Sequence, residues 1–223
     1  MLKGRGLKLI AAITLIGAIA CGMASATPVN LPDPILDTPL AKTKSEDSVV
    51  VAGGCFWGIQ AVFQHVKGVT QATSGYAGGS SITAHYPIVS TGTTGHAESV
   101  QVTYDPSQIT LGQILKVFFS VAHDPTELNY QGPDHGAQYR SAIFFATPDQ
   151  QKIADAYIAQ LNAAKSFPQP IVTKLESLDK FYPAEDYHQN YARLHPDNPY
   201  IVINDAPKVT ALEKAFPNLY VKP

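Results

Sequence analysis

Cysteine is scarce in this chain of 223 residues, which contains only Cys21 and Cys55. Removal of residues 1–26, which we predict below, would leave 197 residues with a single thiol, so no disulfide could form within the chain. Secreted proteins usually place their cysteines in disulfide frameworks. A single leftover cysteine is therefore either an intermolecular linker or a reactive group, and the surroundings of Cys55 favour the second.

Charged residues are also few, at 15% of the chain, and there is no basic cluster. Loss of residues 1–26 removes three basic residues and no acidic one, which changes the formal net charge from −2 to −5. A mildly acidic surface argues against nucleic acid or an anionic membrane as the main partner. Gly78-Gly-Ser-Ser81 is not followed by Gly-Lys-Ser/Thr, so it predicts a turn and not a phosphate-binding loop.

The apolar run from Leu9 to Ala20 is too short to span a membrane comfortably. It is preceded by three basic residues and followed by the small residues Ala24-Ser-Ala26. This order is typical of a secretory signal peptide. We therefore predict a signal peptide over residues 1–26 and cleavage after Ala26. The mature protein would be exported, to the periplasm if the source has two membranes, with no stable membrane association after cleavage.

Cys21 offers a second processing route, as a lipid-modified N-terminus. We rank this route below cleavage after Ala26, because Ala18 and not a large aliphatic residue stands three positions before Cys21. Residues 27–47 are rich in proline and then in charge, which predicts an extended linker. Residues 48–223 are long enough to bury a sizeable core, and we expect them to form a single domain.

The hydrophobic periodicity of that domain alternates between strands and helices. The predicted elements are strand 48–53, helix 56–66, strand 68–76, strand 97–104, helix 110–121, strand 140–146, helix 148–163 and strand 170–177. Two strands follow each other directly between helices, which favours an α+β, ferredoxin-like two-layer sandwich. Beyond residue 178 the sequence is rich in Tyr, Pro, His and Asn, and we predict a long C-terminal coil.

Cys55 lies in Gly54-Cys-Phe-Trp-Gly58, between a predicted buried strand and a helix. The unpaired N–H groups and the positive dipole end at a helix N-terminus favour a thiolate. The flanking glycines leave the sulfur open, and Phe56 and Trp57 can form an apolar surface beside it. A buried structural cysteine is the commoner state of a lone Cys, but it would not require the sole tryptophan of the chain as a neighbour. We predict a reactive thiol.

Glu98 stands at the start of an alternating strand and shares its inward face with Val100 and Val102. A carboxyl group on a core face is costly to ionise, so its pKa should rise and it could donate a proton. A strand-end glutamate that reaches water is the alternative, and the sequence leaves both open.

The polar loop 122–140 is long for a compact domain, which is typical of functional loops. Its histidines and aspartates match no tight zinc spacing, so we expect no metal site. The aromatic residues Tyr86 and Tyr139 lie in or beside loops. Their hydroxyl groups could belong to a functional site. Alternatively, both could be half-buried tyrosines whose hydroxyl group is bonded to the backbone, and the sequence does not exclude this.

Several motifs together resemble one known family. They are Gly54-Cys-Phe-Trp-Gly58, Gly75-Tyr-Ala-Gly-Gly79, Tyr86, Gly95-His-Ala-Glu98, His123-Asp-Pro125 and Gln131-Gly-Pro-Asp-His-Gly-Ala-Gln-Tyr-Arg-Ser-Ala142. In this order they resemble the A-type peptide methionine sulfoxide reductases from about residue 48 to about residue 200. That family belongs to the enzymes that reverse the oxidation of methionine to its sulfoxide.

The resemblance implies a role for each matched residue. Cys55 would attack the sulfoxide sulfur and become a sulfenic acid, while Glu98 would protonate the sulfoxide oxygen. The other implied residues are Tyr86 and Tyr139 as hydrogen-bonding companions of Glu98, Phe56 and Trp57 as the pocket for the substrate methyl group, and Asp134 and His135 as substrate-binding residues.

The resemblance further implies an α+β two-layer fold and reduction of the S epimer of methionine sulfoxide in proteins and as the free amino acid. It implies no metal and no organic cofactor. Many relatives carry a resolving cysteine near the C-terminus, but residues 178–223 contain none. We therefore expect an external thiol reductant, such as a thioredoxin-like donor, to recycle Cys55. Oxidised proteins and this reductant are the expected partners of a monomer.

Two other functions fit a lone reactive-looking cysteine. A cysteine hydrolase or acyl transferase would pair Cys55 with a histidine base such as His96 or His188 and would consume no reductant. A non-catalytic extracellular module would bury Cys55, which would then react slowly with alkylating reagents.

Overall fold

A computed structural model describes residues 28–223 of the chain. The predicted signal peptide, its cleavage site and Cys21 lie outside these residues. The strands are β1 (Asp47–Ala52), β2 (Val69–Ala77), β3 (Ala97–Tyr104), β4 (Tyr130–Gln131), β5 (Asp134–His135), β6 (Ala142–Phe145), β7 (Lys174–Ser177) and β8 (Phe181–Pro183). The α-helices are α1 (Phe56–Gln64), α2 (Tyr86–Val89), α3 (Leu111–Val117), α4 (Pro148–Ala163), α5 (Tyr191–Leu194) and α6 (Ala206–Ala215).

Six of the strands form one mixed sheet in the order β7-β6-β1-β3-β2-β8. The strand pairs β6–β1, β1–β3, β3–β2 and β2–β8 are antiparallel, and β7 is parallel to β6. The strands β4 and β5 form a separate hairpin. The fold is therefore α+β, as predicted.

The centre of the sheet is apolar on both faces, because helices or coil cover each side. Val50 and Val51 of β1 are fully buried, and they belong to two different core clusters. Side chains alternate across a strand, so neighbouring residues point to opposite faces. Burial of each such side chain contributes about 1.5–3 kcal/mol relative to exposure.

Helix caps in the sequence place the flanking helices. Thr110 and Gln113 form a capping box at the start of α3, and the Thr147 hydroxyl accepts from the Gln150 N–H at the start of α4. The predicted helix 110–121 ends as an α-helix at Val117, and Phe118–Ala122 continue as a π-helical turn. Such turns occur mostly as single interruptions of α-helices.

The prediction of a long coil beyond residue 178 was wrong for one strand and two α-helices. Phe181–Pro183 form β8 at the edge of the sheet, Tyr191–Leu194 form the short helix α5, and Ala206–Ala215 form α6. The sequence signal was weak, because only Ala211 and Leu212 of α6 are buried. A helix with so narrow an apolar face depends on tertiary packing more than on its own pattern.

The proline-rich segment before β1 lies against the domain. Leu31 is 3% exposed, and the Pro32 carbonyl accepts from the Tyr157 hydroxyl at 2.9 Å. The Asp37 carboxylate accepts from the Gly112 N–H at 2.9 Å and from the Thr110 hydroxyl, at the start of α3. No helix within residues 28–223 is both long enough and apolar enough to cross a bilayer.

Candidate active site

Cys55 follows β1 and is the N-cap residue of α1, as the sequence predicted. Its approach is fixed by Gly54, whose φ of +93° is in the left-handed region that side chains rarely adopt. A Cβ at Gly54 would lie 2.7 Å from the Gln131 Cβ. The Gly54 N–H also donates to the Tyr139 carbonyl at 3.1 Å, which joins the loop before α1 to the loop around residue 139.

The Cys55 thiol is almost fully buried, with 8% of the residue exposed. Burial raises the pKa of the thiol well above its usual range, and the carboxylates of Glu98 and Asp205 raise it further. The Trp57 amide at the start of α1 acts in the opposite direction but does not overcome them. The prediction that the helix N-terminus favours a thiolate is therefore wrong for the unliganded protein, because desolvation outweighs the amide and the helix dipole.

Glu98 lies on the inward face of β3, as predicted, and is 2% exposed. Its Oε2 accepts from the Phe56 N–H at 3.1 Å, which places the carboxyl group at the first turn of α1, beside Cys55. Burial raises the pKa of Glu98 to about 8, even though the Phe56 amide lowers it; Asp134 and Asp205 contribute smaller increases. The carboxyl group is therefore mostly protonated at neutral pH.

Tyr86 and Tyr139 approach the same place from two other elements. Tyr86 is the first residue of α2, and Tyr139 ends a short 3₁₀ turn. Burial is the largest cause that raises the pKa of Tyr86, to about 12, and negative charge on Glu98 is the second. The same two causes raise the pKa of Tyr139. Both phenols remain protonated at neutral pH and can donate hydrogen bonds. Within residues 28–223, neither hydroxyl is bonded to Glu98.

The aromatic side of the site is held by residues from the C-terminal segment. Phe56 is 1% exposed, and its ring lies 5.0 Å from that of His188. Trp57 stacks on Tyr191 with a centroid distance of 3.8 Å and an interplanar angle of 9°. The Trp57 Nε1–H donates to His188 Nδ1 at 3.2 Å. These contacts fix the plane of the indole of Trp57, two residues after Cys55.

Asp134 and His135 belong to the hairpin of β4 and β5, and they point to different surroundings. The Asp134 carboxylate accepts from the Tyr200 hydroxyl, and Tyr200 packs edge-on against Trp57. His135 is exposed, and its ring stacks on Tyr130 with a centroid distance of 5.5 Å. Asp134 thus adjoins the aromatic side of the site, whereas a substrate contact by His135 stays a prediction.

Sequence reasoning missed Glu185, which connects two tyrosines of the site. Its carboxylate accepts from the Tyr86 N–H at 2.9 Å and from the Tyr76 hydroxyl at 2.8 Å. Burial opposes ionisation of Glu185, but these two hydrogen bonds lower its pKa below the usual range. Glu185 lies 87 residues beyond Glu98 in a segment read as coil, so no local signal could have indicated its contact with Tyr86.

Asp205 is a second missed residue, because it is fully buried immediately before α6. A Cβ at Gly58 would lie 2.1 Å from Asp205 Oδ1, so the glycine allows this carboxylate to reach the first turn of α1. The Lys208 Nζ lies 3.4 Å from the same oxygen. Burial raises the pKa of Asp205, although Lys208 lowers it.

His96, His123 and His188 form hydrogen bonds with groups other than Cys55. Within the described part of the chain, no group of three or more His, Cys, Asp or Glu side chains could hold a metal ion.

The hydrogen bonds of the histidines lead away from Cys55. His123 Nδ1 is hydrogen-bonded to the Phe118 carbonyl, and His123 Nε2 is hydrogen-bonded to the Ser141 hydroxyl. His96 Nε2 meets the Ser80 carbonyl. His188 is bonded to Trp57, so neither histidine considered for a hydrolase forms the required Cys–His pair.

A cavity of about 340 Å³ opens beside the sulfur. It is lined by Cys55, Asp134, Tyr200 and Lys208 and by residues of the loop 123–133. Phe56, Trp57 and Glu98 do not line it. Cys55 thus lines a cavity to which its neighbours Phe56 and Trp57 do not contribute.

The chain is similar to known enzymes over the whole domain. A family model described as peptide methionine sulfoxide reductase matches residues 47–219. A peptide methionine sulfoxide reductase MsrA 2 of Mesorhizobium japonicum is 59% identical over 174 residues, which is 78% of this chain and 89% of the relative. The MsrA 2 of Synechocystis is 47% identical over 203 residues, or 89% of this chain and 95% of the relative.

Solved structures show the same similarity. Reduced Mxr1 from Saccharomyces cerevisiae superimposes with a TM-score of 0.61 at 31% identity, covering 72% of this chain and 94% of Mxr1. The methionine sulfoxide reductase A of Corynebacterium diphtheriae gives 0.59 at 32% identity, covering 78% and 91%. The chain belongs to the A-type peptide methionine sulfoxide reductases, the enzymes that repair oxidised proteins by reducing methionine sulfoxide with the electrons of thiols.

Proposed function

We propose that the chain reduces the S epimer of methionine sulfoxide, in proteins and as the free amino acid, through a sulfenic acid on Cys55. The observation that carries this proposal is the meeting of a thiol and a protonated carboxyl group at one helix turn. Glu98 accepts from the Phe56 N–H, and Phe56 directly follows Cys55. The carboxyl group has a pKa of about 8, so it holds a transferable proton at neutral pH.

In the proposed reaction, Glu98 protonates the sulfoxide oxygen while the Cys55 sulfur attacks the sulfoxide sulfur. Oxygen then passes to the Cys55 sulfur, and the sulfur–oxygen bond of the substrate breaks. Methionine sulfoxide is reduced to the thioether, and Cys55 is oxidised by two electrons from the thiol to the sulfenic acid. The thiol proton takes the place of the proton that Glu98 gave, so the carboxyl group is ready for the next turnover.

The bound substrate supplies a positive charge at the site when its sulfoxide is protonated, and among residues 28–223 the free enzyme has no such charge beside Cys55. The buried thiol resists ionisation chiefly because burial disfavours a thiolate, and any negative charge on Glu98 or Asp205 disfavours it further. Protonation of the sulfoxide makes the substrate sulfur electron-poor and leaves a negative charge on Glu98 next to it. As the Cys55 sulfur attacks, its thiol proton passes to the Glu98 carboxylate, so both charges are removed and the low-dielectric site favours this transition state over a separated thiolate.

The other predicted residues orient the sulfoxide. Phe56 and Trp57 would receive the methyl group, supported by the ring stack of Trp57 on Tyr191. Tyr86 and Tyr139 keep their phenolic protons and would hydrogen-bond the sulfoxide oxygen near Glu98. Asp134, which is bonded to Tyr200, would contact the substrate backbone, with His135 further out on the hairpin.

An external dithiol or redoxin-type protein would complete the cycle. Cys55 is the single cysteine within residues 28–223, so the sulfenic acid has no second thiol in that part of the chain. A thiolate of the reductant attacks the Cys55 sulfur, which releases water and forms a mixed disulfide. A second thiol of the reductant then breaks this bond and restores the Cys55 thiol.

The stereochemical preference tests the proposal. With dithiothreitol as reductant, peptides that contain the S epimer should be reduced, while the R epimer should react at least about 100-fold more slowly, because the fixed positions of thiol, acid and methyl pocket fit one arrangement at sulfur. Chiral chromatography of the residual sulfoxide measures both rates. Equal turnover of the two epimers would contradict the assignment.

We also propose export of the mature protein, to the periplasm in a bacterium with two membranes, and the supporting pattern is the basic and apolar segment before Ala24-Ser-Ala26. Mass spectrometry of the protein from its native source should find Thr27 as the first residue. A lipid on Cys21, or a cytosolic protein that retains Met1, would contradict cleavage after Ala26.

We propose that residues 48–223 form a single catalytic domain and that the protein acts as a monomer.

We interpret the four strands β6-β1-β3-β2 as a ferredoxin-like core. Their antiparallel order, with α1 between β1 and β2 and α3 between β3 and β6, supports this description.

A further inference from the structure

We propose that the cavity beside Cys55 is a second substrate subsite, which receives the chain next to the oxidised methionine and prefers a basic residue there. This inference rests on the proposed function, because it assumes that the methionine side chain itself enters the pocket of Phe56 and Trp57. The chemical class of substrate is therefore a flexible oxidised peptide segment with lysine or arginine beside the methionine.

The position of the cavity supports this assignment. Cys55 lines it, whereas Phe56, Trp57 and Glu98 do not. A methionine held against the sulfur by the aromatic residues would therefore place its flanking residues towards the cavity. A volume of about 340 Å³ accommodates one or two residues and is too small for a folded partner.

The charges that line the cavity are unbalanced. Three carboxylates face it, those of Asp124, Glu127 and Asp134, and one cation, Lys208. The Lys208 ammonium is already paired with the buried Asp205 at 3.4 Å. His123 also lines the cavity, but burial lowers its pKa to about 3, so it carries no charge at neutral pH. A basic side chain of the substrate would supply the missing positive charge.

The loop holds its carboxylates in place without neutralising them. Asp124 Oδ1 accepts from the Thr126 N–H at 2.9 Å, and Glu127 Oε2 accepts from the Gly132 N–H at 3.0 Å. The Gln131 amide closes the loop by bonding both the N–H and the carbonyl of Asp124. Each carboxylate keeps one oxygen without a protein partner among residues 28–223. The charge of Asp124 helps to raise the pKa of Glu127, after burial.

Ser120 provides an independent indication that the cavity binds a polar group of a ligand. It is 4% exposed and lines the cavity, and its hydroxyl has no hydrogen-bond partner in the described part of the chain. Buried hydroxyls without a partner are uncommon, because each one costs desolvation free energy. An N–H or carbonyl group of a peptide backbone would satisfy it, which a purely electrostatic surface patch would not require.

The test compares short acetylated peptides with lysine, glutamine or glutamate directly before or after methionine S-sulfoxide. Dithiothreitol is kept in excess, so that recycling of Cys55 does not limit the rate. At low ionic strength we expect kcat/KM for the lysine peptide to exceed that for the glutamate peptide by about five- to tenfold. About 0.5 M salt should reduce this ratio to about twofold or less, because the charges are partly exposed.

Variants without the charges of the loop show whether the preference for the lysine peptide arises in the cavity. The double variant Asp124→Asn, Glu127→Gln keeps the acceptor oxygens of the loop and should bring the lysine-to-glutamate ratio close to one. A matched double variant, Asp155→Asn, Glu213→Gln, removes two exposed charges outside the cavity and should keep the wild-type ratio. A flat ratio in the wild type, or equal ratios in both double variants, would overturn the subsite.

N-acetyl methionine sulfoxide separates the two proposals. It carries no flanking side chain, so its turnover depends on the pocket around Cys55 and not on the charges of the cavity. If this substrate is reduced but the peptide ratio is flat, the subsite is wrong and the proposed reaction stands. If it is not reduced at all, the proposed reaction is wrong, and the subsite that rests on it fails as well.

Discussion

Replacement of Cys55 by serine is expected to lower kcat for peptide methionine S-sulfoxide by more than about 10⁴-fold. A serine hydroxyl cannot replace the thiol as a two-electron reductant, because it has no counterpart of the sulfenic acid. Losses of this size are typical for removal of a catalytic nucleophile. The rate is measured as methionine released per enzyme, with dithiothreitol in excess.

A single turnover without reductant gives the matching observation for the wild type. Each protein should release one methionine, and Cys55 should react with dimedone, which traps sulfenic acids. Cys55→Ser should release none and should not be labelled, while near-ultraviolet circular dichroism of Trp57 verifies that the site remains folded. Full activity of the serine variant, or a second oxidised thiol in the protein after one turnover, would refute the scheme.

Replacement of Glu98 by alanine should lower the rate of sulfenic acid formation by about 10²- to 10⁴-fold, the usual contribution of a general acid. Glu98→Gln should lie between the wild type and alanine, because an amide can donate a hydrogen bond to the sulfoxide oxygen but cannot transfer a proton. Rapid quench of a single turnover measures this step separately from recycling. Wild-type rates in both variants would exclude Glu98 as the acid.

The pH dependence of the same step follows from the pKa of Glu98. The acid form is present below a pKa of about 8, so the rate should fall as the pH rises through this value. The Glu98→Gln variant should lose this descending limb. The raised pKa of Cys55 keeps the thiol protonated over this range, and its proton passes to Glu98 in the same step, so no rising limb is expected near neutrality. A descending limb that persists unchanged in Glu98→Gln would assign it to another group.

The buried carboxyl group also links stability to pH. The folded-state pKa of Glu98 lies above its usual value of 4.5, so its contribution to stability is complete below about pH 4.5 and is lost as the pH rises through about 8. The loss is on the order of 5 kcal/mol. A glutamine at position 98 does not ionise, so the Glu98→Gln variant should not lose this stability. We expect it to unfold at a higher temperature than the wild type at pH 9.

The sequence by itself determined where Cys55 and the Glu98 side chain lie, while it left open whether the Glu98 carboxyl group is shielded from water. Gly54 and Gly58 around Cys55 follow an apolar strand and precede a helical pattern, and this local order places the thiol at the N-cap of α1. The alternation after Glu98 placed its carboxyl group on the inward face. Both features depend on residues close in sequence, so periodicity was enough to indicate them.

Only the tertiary structure decided how these groups are charged and supported. The helix N-terminus alone predicted a thiolate, but burial together with Glu98 and Asp205 keeps the thiol protonated. Asp205 reaches α1 across almost 150 residues, and Glu185 reaches Tyr86 across almost 100. The segment that supplies these partners has a weak periodic pattern, because it packs against the domain through single side chains and not through a continuous apolar face. Desolvation and long-range contacts of this kind leave no local pattern in a sequence.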